Sequence, residues 1–459
     1  MICMPKRDSK RRARETSLES AAAALKRHFA GLNVANLITA NREYPVPARV
    51  DLQRAVDELL PSFSRSRQLG IHAEYAHETL TLGHLLARGH SPVVIGPLQY
   101  EEIAVGEALT VPCVRRALWL ARDGRLPFAL VLGQAARYGT PSGTNVEIAV
   151  PPGEKGAELV RAVFHKIESQ VKAASSYRGK VLSLEAADRY SGAMGPIRVH
   201  KLKQVTPEQL VLPQKTVALL DRNVFGFVAR RKQLKSLGLS AKKGLLFYGP
   251  PGTGKTHTIH YLATRLPDHT TLLITAEQVG LLDHYFQLAR FLQPSLVVIE
   301  DVDLIARARE EMGSPCEEAL LNKLLNEMDG LREDAEILFV LTTNRPDQLE
   351  KALAARPGRI DQAIEFPLPD EEGREQLARL YACGLEIGPE VLQLIVRRTA
   401  GGSAALIKEL MRRAAQFLLE AEHTHLQPRH IDAALEEMLF SGGSLNATLL
   451  GASGVRQAG

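Results

Sequence analysis

Short apolar runs of strand length alternate with helix-spaced stretches over the first two hundred residues. Ser91–Ile95, Leu126–Leu132, Asn145–Val150 and Lys180–Leu184 are compact apolar segments that predict buried strands. Apolar positions at helical spacing predict helices over Leu18–Leu32, Arg49–Leu60, Val114–Arg122 and Gly156–Ala174; Pro61 ends the second of these, and Pro151-Pro152 stops the strand over Asn145–Val150. This mixture predicts an α+β N-terminal domain. From Pro213 the pattern changes to strand–loop–helix units, with strands at Gly244–Tyr248, Leu296–Ile299 and Ile337–Leu341 and a helix over Thr256–Arg265. After Pro367-Leu368-Pro369 the spacing is helical to about Phe440. Five segments follow: a basic tail over 1–16, the α+β domain over 17–204, an α/β domain with a doubly wound parallel sheet over 205–370, a helical lid over 371–440, and a flexible Gly/Ser/Ala-rich tail over 441–459.

Composition narrows the class. The chain has 459 residues, 45% hydrophobic and 24% charged, within the soluble globular range and too long for one core. No apolar run approaches the roughly 18 residues of a membrane span, and Met1–Glu15 is basic and polar, unlike a secretory leader. Cys3, Cys113, Cys316 and Cys383 lie too far apart for a metal knuckle or a redox pair, so free thiols and a cytoplasmic location are expected. The net charge of +5 sits in residues 1–30, which carry Lys6, Arg7, Lys10, Arg11, Arg12, Arg14, Lys26 and Arg27 against Asp8, Glu15 and Glu19. A solvated terminus is the plain reading of that tail, and nucleic-acid contact is the rival one.

The most specific chemistry lies in Gly249-Pro250-Pro251-Gly252-Thr253-Gly254-Lys255-Thr256, between a strand and a helix. This is the Walker A pattern in the setting its physics needs. Glycines let successive backbone N–H groups point at phosphates, and the following helix adds partial positive charge at the same place. Lys255 is expected to reach the β- and γ-phosphates of ATP, and the Thr256 hydroxyl to ligate Mg²⁺. The apolar strand Leu296–Ile299 then delivers Glu300-Asp301-Val302-Asp303. Two adjacent acids at a strand end, downstream of a phosphate loop, read as a Walker B: Glu300 toward the magnesium shell, Asp301 as general base on the attacking water. Asp301 is one methylene shorter than the glutamate usual there, which predicts slow turnover.

At this point the chain resembles the AAA family of P-loop ATPases, over about residues 205–440. Leu321–Leu331 (LNKLLNEMDGL) is similar to the family helix before the fourth strand, and Thr342-Thr343-Asn344-Arg345-Pro346 to the sensor 1 strand. The resemblance implies that Asn344 orients the attacking water. Arg356-Pro357-Gly358-Arg359 is similar to the second region of homology and implies that Arg356 and Arg359 act as fingers in a neighbouring subunit's ATP site, in a ring that is a hexamer by family norm. The spacing from Asn344 makes Arg359 the first choice. Thr399–Ala405 is similar to the start of a lid helix. The Glu-Asp order resembles that of the mitochondrial Rieske-protein translocases, whose N-terminal transmembrane helix is not expected here. The family's aromatic pore loop is missing from Thr275–Gln293, which leaves Val279-Gly280-Leu281-Leu282 as the expected pore lining, and no sensor 2 arginine lies near Ser403.

Other features carry less. His72, His77, His84 and His90, with Glu74 and Glu78, form an apparent helical cluster whose spacings do not surround one ion. Tyr138–Thr144 reads as a turn-rich connecting loop, and His423, His425 and His430 as lid loop residues. The whole predicts an ATP-binding, ATP-hydrolysing ring protein that remodels protein complexes, its N-terminal domain taking a substrate or adaptor by position. The alternatives are a slow or inactive nucleotide switch or scaffold, and a nucleic-acid-associated ATPase.

Overall fold

The computed structural model describes residues 19–73, 79–87, 92–137, 140–186, 194–303, 324, 326–347 and 360–438. Its contacts divide the chain into two compact units, one of residues 1–104 and 109–176, the other of 105–108 and 177–459.

The first unit runs α1 (Ala21–His28), β1 (Ile38–Tyr44), α2 (Arg49–Leu59), β2 (Ser64–His72), α3 (Leu82–Leu86), β3 (Val94–Gly96), β4 (Tyr100–Ala104), β5 (Thr110–Val114), β6 (Arg116–Asp123), β7 (Leu126–Arg137), β8 (Thr140–Val150) and α4 (Glu154–Ala173). Six strands form an antiparallel sheet in the order β1-β8-β7-β6-β2-β3, and β4 and β5 pair by themselves. Alternate residues Leu69, Ile71, Leu118, Leu120, Ala129 and Val131 pack one face against Ala24, Leu25, Leu82 and Leu85 of α1 and α3. The helix predicted over Val114–Arg122 is a strand. Its Ala/Leu/Arg-rich sequence suits a helix, but as β6 it sits between β2 and β7, where five consecutive residues, Ala117–Ala121, are buried on both faces. The loop predicted over Tyr138–Thr144 is mostly strand, since β8 starts at Thr140 paired with Arg137. The histidine cluster dissolves likewise. His72 ends β2 with its ring 2.8 Å from Pro97 O, His84 closes a capping box with Thr81, and His77 and His90 lie outside the described residues.

The second unit runs β9 (Val181–Ala186), β10 (Met194–His200), α5 (Gln214–Leu220), α6 (Gly226–Ser236), β11 (Lys243–Tyr248), α7 (Lys255–Arg265), β12 (Thr270–Ile274), α8 (Leu282–Phe291), β13 (Ser295–Ile299), β14 (Ile337–Thr343), β15 (Gln362–Glu365), α9 (Glu371–Tyr381), α10 (Pro389–Arg398), α11 (Ala404–Glu420) and α12 (Pro428–Glu436). Seven strands are ordered β10-β9-β12-β13-β14-β11-β15, all parallel except β10. The sheet is doubly wound. Leu245, Phe247, Leu296, Val298, Leu338 and Val340 face Ile259 and Leu262 of α7, while Phe286 of α8 meets Phe339. Val181–Ala186, placed with the N-terminal domain by the boundary at 204, instead extends this sheet beside β12. Tyr285 holds it there: the Leu184 N–H donates to its hydroxyl at 2.7 Å, and the hydroxyl donates to Leu273 O at 2.9 Å. The last four helices enclose a separate lid core around Leu377, Leu392, Leu406, Leu410 and Leu435. Among the described residues no helix is long and apolar enough to cross a membrane.

Candidate functional site

Strand β11 is flanked by β14 and β15 while the chain leaves it for β12, so its C-terminal end is a topological switch point where ligands bind in such sheets. The Gly249–Thr256 loop lies there. Gly254 caps α7 with φ of 100°, and Gly252 has φ of 76°; both lie in the left-handed region that favours glycine. A Cβ at Gly252 would stand 2.9 Å from Ser403 Oγ and from Ala405 Cβ, so the loop and the lid helix approach closely only because the side chain is missing. The Ala405 N–H donates to Gly252 O at 3.1 Å, and Ser403 caps α11 by accepting from the Leu406 N–H. Thr399–Ala405 therefore does lead into a lid helix, seated on the phosphate loop.

Lys255 is buried, and its ammonium donates to Gly249 O at 2.8 Å and Pro250 O at 2.9 Å. Burial pulls its pKa down to about 8, against the opposing pull of Asp301 and Asp303. The Thr256 hydroxyl donates to Glu300 Oε1 at 2.7 Å, which joins the two motifs at the mouth of β13. Asp301 follows with φ of 48°, a left-handed turn unusual for a side-chain-bearing residue. Its N–H donates to Thr342 Oγ1 at 2.9 Å, and its Oδ1 accepts from Asn344 Nδ2 at 3.0 Å. Burial, and then the charge of Asp303, raise the Asp301 pKa; Lys255 and the Asn344 amide oppose them.

Asp303, to which the motif reading gave no role, is the anchor. Its Oδ1 accepts from Thr343 Oγ1 at 2.8 Å and from the Asn344 N–H at 3.2 Å. It thereby ties the end of β14 to the end of β13. The signal was present as an acid two residues past Asp301, but its partners lie some forty residues downstream. Pro251–His257, Asp301, Thr342 and Asn344 line a cavity of about 400 Å³ together with Gln209–Leu212, Leu377, Tyr381, Ala404, Ala405 and Lys408.

Of the described candidates, Gly249, Pro250 and Glu300 do not line this cavity. Arg356 and Arg359 lie outside the described residues, as do all of Leu321–Leu331 except Leu324 and 326–331. The expected pore lining fails at two positions. Leu281 and Leu282 are each 2% exposed, packed into the unit, and the neighbouring Gln278 donates to Leu184 O of β9 at 3.0 Å.

The donor set fits Mg²⁺. No group of three or more His, Cys, Asp or Glu side chains placed to hold a metal ion occurs among the described residues. Magnesium bound with nucleotide needs only one or two protein oxygens beside phosphates and water, and the adjoining Thr256 and Glu300 side chains could provide them.

Comparison with known proteins agrees with this geometry. Residues 245–368 match the family model "ATPase family associated with various cellular activities (AAA)". The chain is 31% identical over 276 residues to ATP-dependent zinc metalloprotease FtsH 2 of Symbiobacterium thermophilum, covering 56% of this chain and 47% of that protein. It is 31% identical over 232 residues to the proteasome-activating nucleotidase of Methanosphaerula palustris, covering 48% and 56%. It is 26% identical over 317 residues to 26S proteasome regulatory subunit 8 homolog A of Arabidopsis thaliana, covering 65% and 74%. The chain spans about half the length of the first two of these curated relatives. With the phosphate loop, Asp301 and the sensor strand on one cavity and Glu300 bonded to Thr256 of the loop, the C-terminal unit carries an AAA-type P-loop ATPase domain, homologous to those of the AAA+ nucleoside triphosphatases.

Proposed function

We propose that the protein binds and hydrolyses ATP with Mg²⁺ and uses the cycle to remodel protein complexes as a ring. The observation that carries this is that Thr256, Asp301 and Asn344 line one cavity, with Thr256 bonded to Glu300 and Asp301 to Asn344. Lys255 and the loop N–H groups bind the phosphates. Thr256 and Glu300 would hold Mg²⁺, which would supply neutralisation of phosphate charge. Asp301 accepts the proton of the attacking water at its carboxylate, and Asn344 orients that water. Arg356 and Arg359 of a neighbouring copy complete the site by family resemblance. The relatives named as a metalloprotease and a proteasome-activating nucleotidase support a protein substrate, the ring is a hexamer by family norm, and a cytoplasmic location suits that work. Kinship with the Rieske-protein translocases rests on the Glu-Asp order alone. Nucleic-acid contact through residues 1–16 is the weaker alternative.

The test is steady-state ATPase turnover of wild type and Asp301→Asn, with particle mass read in the same buffer with ATP. A ring that turns over, and a variant that binds ATP but stalls, support the motor reading. Persistent monomer with ATP removes the ring.

A second reading has its own observation. Asp301 is both shorter than glutamate and already held by Asn344 at 3.0 Å. A protein that binds ATP and scarcely hydrolyses it would be a nucleotide switch. Wild-type turnover above about 0.1 s⁻¹, still slow for an enzyme, would exclude it.

A further inference from the structure

We propose that His423 and His430, at the corner where α11 turns into α12, form a pH-sensitive latch that holds α12 on the lid while both rings are neutral and releases it in acid.

His430 lies in the first turn of α12 rather than in the loop before it, and it is 3% exposed. Its Nδ1 accepts from the Gln427 N–H at 3.2 Å, a backbone donor that leaves the ring no choice of tautomer. The one ring hydrogen of neutral His430 therefore sits on Nε2, which stands 2.9 Å from His423 Nδ1 and donates to it. His423 in turn carries its hydrogen on Nε2, 2.8 Å from Arg429 Nη2. That contact sets donor against donor. The neutral corner thus already holds one hydrogen more than its contacts accept, and Arg429, being exposed, is the group free to turn away. A further proton has only two lone pairs to take, on His423 Nδ1 and His430 Nδ1. The first breaks the bond between the rings, and the second breaks the Gln427 bond that caps the helix.

The surroundings oppose a cation. The charges that act on His430 are those of His423, Arg429 and His425, with no carboxylate among them. Charged groups on the neighbouring elements are engaged elsewhere or exposed. Arg398 of α10 pairs with Asp432, Arg413 of α11 pairs with Glu437, Glu420 accepts from Gln416, and Arg397, Glu422 and Glu436 are exposed. Position adds to this, because the first turn of a helix carries partial positive charge. Burial, and then its basic neighbours, hold the His430 pKa below the ordinary 6.5. A histidine depressed in the folded state contributes stability that is full above its unfolded value and is lost as pH falls toward the folded one. What the corner controls is apolar: Ile431, Ala434 and Leu435 of α12 share the lid core with Leu410, Leu418 and Leu426.

The experiment follows hydrogen exchange of the full-length chain by mass spectrometry at about pH 7.5 and about pH 5.5, corrected for intrinsic rates, with β13 as internal reference. It compares wild type with His430→Gln, His423→Gln and His425→Gln. Glutamine at 430 supplies the usual capping-box side chain without a titrating ring. In wild type, one proton taken up on opening raises the opening constant of α12 about tenfold between the two pH values, while β13 keeps its protection. His430→Gln abolishes that dependence and His423→Gln reduces it. His425→Gln, whose native ring bonds Thr424 instead, keeps it. Equal protection of wild-type α12 at both pH values overturns the latch, as does a loss at β13 in step with α12. So does a wild-type pH dependence in His430→Gln. If His430→Gln does not fold, His423→Gln decides: a reduced dependence supports the paired latch, and an unchanged one overturns it.

Discussion

Asp303 is the residue whose loss should separate positioning from binding. It is 4% exposed and accepts two hydrogen bonds, from a fully buried Thr343 hydroxyl and from the Asn344 N–H. Asp303→Ala removes an ionised acceptor and leaves both donors unpaired. Hydrogen bonds to charged groups are worth about 1.5–3 kcal/mol each, and the low end applies to the half-buried Asn344 end, so the loss is about 3 kcal/mol. For a unit of this size that lowers Tm by about 6–12 °C. Asn344 also loses its backbone anchor, and with it the amide that holds Asp301. A misplacement on the order of 1 Å costs about 10²-fold in kcat, whereas ATP affinity holds near wild type because Asp303 is not on the cavity wall. Asp303→Asn keeps an oxygen in place and loses only the charge, for about 1 kcal/mol. Thermal melting and single-turnover hydrolysis beside ATP titration measure all three quantities. If Asp303→Ala melts and hydrolyses like wild type, the inter-strand anchor is wrong. If ATP affinity falls as far as kcat, Asp303 belongs to binding instead.

Three further outcomes follow from the same contacts. Gly252→Ala should strain a left-handed backbone and push Ala405 away, at about 2–4 kcal/mol; unchanged melting together with unchanged mant-ATP affinity would contradict the loop-to-lid contact. Tyr285→Phe should leave the buried Leu184 N–H without its acceptor, at about 1–3 kcal/mol, and speed hydrogen exchange at β9 before it does at β13; equal protection in both proteins would count against the attachment of β9. Glu409 accepts from Arg412 and Arg413, which hold its pKa at about 2 against an ordinary 4.5. A depressed carboxylate contributes stability that is full above its unfolded pKa and is lost as pH falls from about 4.5 toward 2. With the solvent exposure of Arg412 discounted, Glu409→Gln should cost the lid about 1–2 kcal/mol at pH 7 and nothing near pH 2; a pH-independent difference in denaturant melts would remove this account.

The local chemistry of the ATPase unit was legible in the chain because its parts are contiguous. A strand, a glycine loop, Lys255 and Thr256 occupy fourteen residues, and their spacing alone sets which N–H groups face phosphate. Glu300 and Asp301 were readable for the same reason, as an acidic end on an apolar strand. The N-terminal unit resisted reading. Arg116–Asp123 has helical composition, and only its place between β2 and β7 makes it a strand. Val181–Ala186 reads as a strand, but its sheet was chosen by Tyr285, about a hundred residues away.

What the sequence by itself determined, then, is which atoms are available for phosphate chemistry: a loop of glycines, one buried lysine, one hydroxyl and a run of carboxylates. Tertiary structure alone decided how they meet. It brought Asn344 to Asp301 across two neighbouring parallel strands, gave Asp303 its anchoring role, turned Leu281 and Leu282 inward, and laid Ala405 against the loop. The reason is the range of the forces. Backbone propensity and spacing act over a few residues, whereas strand order and helix packing are settled by burial summed over the whole sheet, which no local window of sequence contains.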